Sequence, residues 1–118
     1  MNESAELGEN LDGEKCKPRK KGERPLSLEL IKGYVLLLPG WKLSGKQIVK
    51  NYNFKDFRET IGFVNALAFI ANRENHHPEL EVRYKTCKVR YSSHDLGGLS
   101  KNDFICASKI DGLLNGGS

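Results

Sequence analysis

Cysteine, tryptophan, methionine and proline are scarce in this chain of 118 residues, with three, one, one and four copies respectively. Cys16, Cys87 and Cys106 form an odd set at wide spacing. Neither a disulfide framework nor a paired Cys-x-x-Cys metal site produces that pattern, so free thiols in a reducing compartment are expected. Long apolar runs are also missing. A membrane-spanning helix needs roughly 20 apolar residues, and Tyr34-Val35-Leu36-Leu37-Leu38 is only a quarter of that length. The stretch from Met1 to Gly13 is acidic, where a secretory signal would be basic and then apolar. These absences predict a cytoplasmic protein with no membrane contact.

A one-signed charge field is absent as well. The formal net charge is +4, but its distribution is diffuse. Residues 1–14 carry five acids and no base, residues 15–24 carry six bases and one acid, and the remaining charges are interspersed. A nucleic-acid footprint clusters its bases on one face, so no direct nucleic-acid contact is expected. The cluster Lys17-Pro18-Arg19-Lys20-Lys21 has the composition of a nuclear-localisation or polyanion-binding patch, which would add the nucleus as a second location.

What is present organises as one domain. Residues 1–25 offer only Met1, Ala5, Leu7, Leu11 and Cys16 as apolar groups and read as a disordered tail. The folded domain is expected over residues 26–114, with a flexible C-terminus over 115–118. Ser27 suits an N-cap, and Leu28, Ile31, Tyr34, Val35 and Leu38 follow at helical spacing until Pro39-Gly40. Trp41–Leu43 and Gln47–Phe54 read as a hairpin across Ser44-Gly45-Lys46. Phe57, Ile61, Val64, Leu67, Ala68, Ile70 and Ala71 predict a helix over Lys55–Arg73, with Gly62 and Ala66 on its apolar side for close packing. Leu80–Tyr84 and Cys87–Tyr91 alternate, which predicts two strands, each with one wet and one buried face. Ser100 then caps a last helix with Asp103 at its N3 position, and Phe104, Ala107, Ile110 and Leu114 form its stripe until Gly112 and Gly116-Gly117 loosen its end. The order α-β-β-α-β-β-α predicts an α+β fold, a four-stranded antiparallel sheet with three helices on one face.

Every histidine lies between positions 76 and 94. Imidazole gives and takes a proton near neutral pH, so His76, His77 and His94 facing one pocket would form acid/base machinery. Other readings compete. Zinc would need His76 and His77 on one metal, although adjacent residues of an extended chain point in opposite directions. A nucleophile would need an activated serine or cysteine, yet there is no Gly-x-Ser-x-Gly elbow, and Cys87 alternates within a strand as a packing residue does. The histidines could also simply bond loop backbone. Asp95 and Asp103 are placed to orient or charge the rings, though Asp103 also suits a helix N-terminus.

The segments Asn75-His76-His77-Pro78, Tyr84, His94 and Asp103 form, in order and spacing, a signature that resembles the pterin-4a-carbinolamine dehydratases. Leu38-Pro39-Gly40-Trp41, Phe54-Lys55-Asp56-Phe57, Gly62-Phe63 and Gly97 with Leu99-Ser100 look like the same family. The resemblance implies three helices on a four-stranded antiparallel sheet. It also implies dehydration of 4a-hydroxytetrahydropterin to quinonoid dihydropterin during tetrahydrobiopterin regeneration. By that resemblance His76 and His94 are the acid/base pair and His77 holds the pterin. Asn75, Ser92, Ser93 and Asp95 line the pocket beside them, and Asp103 supports. No metal and no organic cofactor is implied, the pterin being the substrate. A homodimer or homotetramer is implied, as is a second possible role as a dimerisation cofactor of a homeodomain transcription factor. One departure stands out: family members commonly carry an acid four positions before the first histidine, where this chain has Asn72, with Glu74 nearby.

Overall fold

The computed structural model describes residue 11 and residues 13–115. Helix α1 spans Leu28–Leu37 and α2 Phe57–Glu74; α3 spans Lys101–Asn115. Strands β1 (Lys42–Ser44), β2 (Gln47–Asn53), β3 (Glu79–Val82) and β4 (Thr86–Tyr91) form one antiparallel sheet in the order β1-β2-β4-β3. The element order and the sheet are those the sequence predicts.

Local chemistry explains the boundaries. The Ser27 hydroxyl accepts from the Leu30 N–H at 3.3 Å, satisfying one of the orphan donors at the start of α1. The helix stops where Pro39-Gly40 turns the chain. A Cβ on Gly40 would lie 2.9 Å from Lys50 Cε, and its φ of +85° belongs to glycine. Ser44 pairs with Gln47, leaving a two-residue turn whose first residue, Gly45, has φ +62°, as tight hairpins require. Asp56 caps α2 by accepting from the Glu59 N–H at 2.8 Å.

The sheet buries one face. In β4, Cys87, Val89 and Tyr91 are enclosed while Thr86, Lys88 and Arg90 are only half-buried. Against this face, Tyr52 of β2 meets Phe63 of α2 with ring centroids 4.6 Å apart, and Tyr34 of α1 stacks on Phe104 of α3 at 4.8 Å. The packing of the helices also sets two stripes differently from the reading of the sequence. In α2 the buried set is Thr60, Phe63, Leu67, Ile70, Ala71 and Glu74, because Phe63 seats against Tyr52 and Phe54. That rotation leaves Phe57, Gly62 and Ala68 exposed, and a Cβ added to Gly62 would meet no heavy atom within 4 Å, so this glycine serves no close approach. In α3, Leu114 is 51% exposed, and the helix runs through Gly112 to Asn115; Gly116 and Gly117 lie outside the described residues.

Strand β3 is an edge strand without a buried face. Leu80 and Val82 remain partly open, and the strand ends at Val82. Tyr84, expected within it, instead stacks on Phe57 at 6.0 Å, beside a turn in which Arg83 N–H donates to the Thr86 carbonyl.

The expected tail over residues 1–25 needs revision where the structure describes it. Leu11 is buried in the core, and the segment after it lies as a strap along α2 and α3. Cys16 N–H donates to Glu74 Oε1 at 2.8 Å, while Lys17 and Asn102 exchange two hydrogen bonds at 3.1 and 2.8 Å. Arg19 Nε meets Asp95 Oδ2 at 2.6 Å, and Lys101 Nζ meets Glu14 at 2.8 Å. The strap carries little apolar surface of its own and is held by polar groups of the helices. Burial raises the Glu74 carboxyl, but the Cys16 N–H, Lys109 and Arg73 outweigh it and hold the group below its ordinary range. Residues 1–10, 12 and 116–118 of the expected termini lie outside the described residues.

Candidate active site

The end of α2 delivers the first histidine. Asn75 takes a left-handed conformation (φ 51°, ψ 43°), and the His76 N–H reaches back to the Ala71 carbonyl at 3.1 Å, closing the helix with a bond of the Schellman type. Asparagine tolerates this conformation, so Asn75 turns the chain inward. The His76 side chain is thereby buried, stacked on Tyr91 with centroids 5.2 Å apart, and the Tyr91 hydroxyl donates to the His76 carbonyl at 3.1 Å.

His76 Nε2 lies 2.6 Å from Asp103 Oδ1. Asp103 is fully enclosed, and its second oxygen accepts from the Ser93 hydroxyl at 2.8 Å and from the Ser100 N–H at 2.9 Å. Ser93 and Ser100 also share a hydroxyl contact of 2.8 Å. The Ser100 N–H bond is the half of a capping box that the N3 residue supplies, so the cap expected at Ser100 and the histidine partner expected at Asp103 are one arrangement. A carboxylate only accepts; His76 therefore donates from Nε2, which leaves Nδ1 as its basic nitrogen in the neutral ring.

The other two histidines stand apart from this buried group. His94 opens a short 3-10 turn, His94–Leu96, and is exposed. Its Nε2 lies 3.1 Å from Ser92 Oγ and 3.6 Å from Glu79 Oε1. It lines a cleft of about 310 Å³, which the β1–β2 turn (Ser44, Gly45, Lys46, Gln47) faces across from Ser92, Gly97 and Gly98. His77 is exposed, with Nε2 at 3.0 Å from Asn72 Oδ1. Asp95, beside His94, is held below its ordinary range by its hydrogen bond to Arg19.

The structure thus joins His76, Ser93 and Asp103 in one enclosed network and places Ser92 with His94 at the cleft. It sets His77 at the surface with Asn72, and it ties Asp95 to the strap. Tyr91, Glu79, Arg19 and the β1–β2 turn adjoin these candidate residues, and sequence reasoning misses them. The alternation of β4 puts Tyr91 on the inner face, which is a usable signal; the turn and Arg19 arrive only through long-range folding. Among the described residues no group of three His, Cys, Asp or Glu side chains is arranged to hold a metal ion, and no helix is long and apolar enough to cross a membrane.

Asn72 bears directly on the departure noted in the sequence. A neutral amide gives an imidazolium at His77 no charge stabilisation, whereas a carboxylate favours the charged ring. The Asn72→Glu variant, which restores an acid at this position, is expected to carry the pH–rate profile upward. Superimposable profiles would show that this position does not tune the site.

A helix-covered antiparallel sheet, with a buried His–Asp pair and an exposed histidine just beyond one strand, defines a small α+β domain. The chain belongs to the pterin 4 alpha carbinolamine dehydratase family, whose model matches residues 24–113. Relatives that carry the pterin-4-alpha-carbinolamine dehydratase name provisionally are similar over most of their length. One from Nitrosospira multiformis is 48% identical over 106 residues, 90% of this chain and 94% of the relative. Another, from Dechloromonas aromatica, is 48% identical over 105 residues, 89% and 94%. A crystal structure described as a transcriptional coactivator/pterin dehydratase from Brucella melitensis superposes with a TM-score of 0.74 at 26% identity, covering 76% of this chain and 98% of that one. A pterin dehydratase-like protein identified as a RuBisCO assembly factor in the alpha-carboxysome shares the fold alone, with a TM-score of 0.52 at 19% identity over 62% and 84% of the two chains.

Proposed function

We propose that this protein dehydrates 4a-hydroxytetrahydropterin to quinonoid dihydropterin, as a hydro-lyase in tetrahydrobiopterin regeneration. Family membership supports the reaction, and the observation that carries the mechanism is the buried His76–Asp103 bond of 2.6 Å. Elimination of hydroxide from carbon 4a needs a proton on the departing oxygen and removal of the proton from ring nitrogen 5. Asp103 fixes the His76 ring with Nδ1 as the basic nitrogen, suiting His76 to take the nitrogen 5 proton and pass through an imidazolium that Asp103 stabilises. His94, open to the cleft, protonates the leaving hydroxyl. His77 holds the pterin, with Asn75, Ser92, Ser93 and Asp95 around the pocket. The step is an acid/base elimination and calls for no metal or organic cofactor.

The test is the dehydration of freshly generated 4a-hydroxytetrahydropterin, followed by absorbance. Combined general acid and base catalysis contributes roughly 10²- to 10⁴-fold, and the His76→Ala, His94→Ala double variant is expected to lose an acceleration of that order while retaining its fold by circular dichroism. A wild type no faster than buffer would overturn the reading. It would move the weight to a binding role, which the coactivator description of the Brucella relative favours. Homodimers or homotetramers fit the same reading, since β3 offers an unpaired edge with Leu80 and Val82 partly exposed. Cytoplasmic location with possible nuclear entry belongs to this proposal too.

A further inference from the structure

Two of the three thiols meet. Cys16 Sγ, on the strap, lies 3.4 Å from Cys106 Sγ on α3, across 90 residues of sequence. Cys87 sits on the enclosed inner face of β4. The contact is held in place from both sides. Cys16 N–H is fixed by Glu74, its Sγ lies 3.6 Å from the Asn102 carbonyl, and Lys17 is doubly bonded to Asn102, one helical turn before Cys106. Cys106 is fully enclosed, whereas Cys16 is only half-buried. Cys16 lines a cleft of about 310 Å³ that also carries three bases, Lys17, Arg19 and Arg73, against one acid, Glu74. Such a cleft suits a small reactant bearing carboxylates.

We propose that Cys16 and Cys106 are a redox-active dithiol, which a small anionic disulfide entering this cleft converts to an intramolecular disulfide. The Cys16 thiolate attacks one sulfur of the reactant, whose S–S bond breaks and releases one small thiolate. The Cys106 thiolate then attacks Cys16 Sγ, forming the Cys16–Cys106 bond and expelling the second small thiolate. Two cysteines are oxidised, one disulfide is reduced to two thiols, and the two cysteine protons end on the thiols released. Bond formation needs the sulfurs to close from 3.4 Å to about 2.05 Å. The hydrogen bond with Cys106, with burial added, raises the Cys16 thiol above its ordinary value, so the first step accelerates as pH rises.

Glutathione disulfide is the probe, applied to the native full chain. Of the three thiols, two are expected to be lost, with one Cys16–Cys106 crosslinked peptide recovered by mass mapping and a rise in Tm of at least about 5 °C. Cys106→Ser is expected to stop at a stable glutathione adduct on Cys16, and Cys87→Ser to behave as wild type. A wild type that keeps all three thiols, or that accumulates the Cys16 adduct without the crosslink, overturns the proposal. So does a Cys106→Ser variant that takes up no glutathione.

Discussion

Asp103→Asn is expected to lower the dehydration rate by on the order of 10²-fold or more, with the substrate KM much less affected. Asp103 accepts at both oxygens, from His76 on one side and from Ser93 and Ser100 on the other. An amide keeps one accepting oxygen. If that oxygen stays with Ser93 and Ser100, the new N–H₂ faces His76 Nε2, which must then accept, and the ring proton moves to Nδ1. The nitrogen assigned to take the pterin proton is then already protonated, the same failure of tautomer that disables a triad histidine when its aspartate becomes asparagine. The reversed ring should be visible in the ¹⁵N shifts of His76. Because Asp103 acts through His76, the loss should not add to that of His76→Ala; full additivity would show that Asp103 serves only the helix cap. Some stability, about 1–3 kcal/mol, is expected to go as well, since the charge-assisted bonds of an enclosed carboxylate become weaker neutral ones.

The largest stability effect is expected at the opposite end of α3, in Asp111→Ala. Asp111 lies eight residues beyond Asp103, about 12 Å along the helix, and accepts from three groups of the sheet side. These are Trp41 Nε1 at 3.2 Å, Lys50 Nζ at 2.9 Å and the Tyr52 hydroxyl in a short bond. Trp41 and Tyr52 are each only 3% exposed. Burial, followed by the bond to Asp111, raises the Tyr52 phenol far above its ordinary value, so its hydroxyl remains a donor at every relevant pH. Alanine strands two buried donors, at about 1–3 kcal/mol each, while Lys50 retains the Pro39 carbonyl at 2.9 Å. A total near 3–5 kcal/mol should lower Tm by some 10–25 °C, with the rate per folded molecule little changed. Tyr52→Phe, which removes a donor and its demand together, should cost far less. A Tm for Asp111→Ala within a degree or two of wild type would show that water replaces the carboxylate without loss.

How legible this was in the sequence depended on what holds each part together. The β4 alternation and the Ser27 cap are local signals, and both lead to the right element. The α2 stripe misleads because Phe57, Phe63 and Phe69 each fit a helical apolar face when counted alone, and only the partner surface of Tyr52 and Phe54 selects Phe63. At the site, the roles available to Asp103 can be named from its position after Ser100, yet its choice of His76 depends on the chain reversal at Asn75. The Asp111 cluster escapes sequence reasoning altogether. Its signal is an acid one turn after Ala107 on an otherwise apolar side of α3, and its partners are 59 to 70 residues away. The strap escapes for a different reason: composition measures the apolar surface a segment brings, and this one is held by acceptors and donors that belong to α2 and α3.

That strap separates two boundaries that are easily confused. The family model starts at residue 24, but the packed unit reaches back at least to Leu11, and the similarity to the Nitrosospira relative, 106 residues long, extends into the strap as well. A chain cut at residue 24 would keep the three histidines and Asp103, yet it would lose Arg19 from beside Asp95 and uncover Glu74, Asn102 and the Cys106 thiol, exchanging a closed flank for a polar, oxidisable one. Here the edge of the family model falls inside the edge of what folds together.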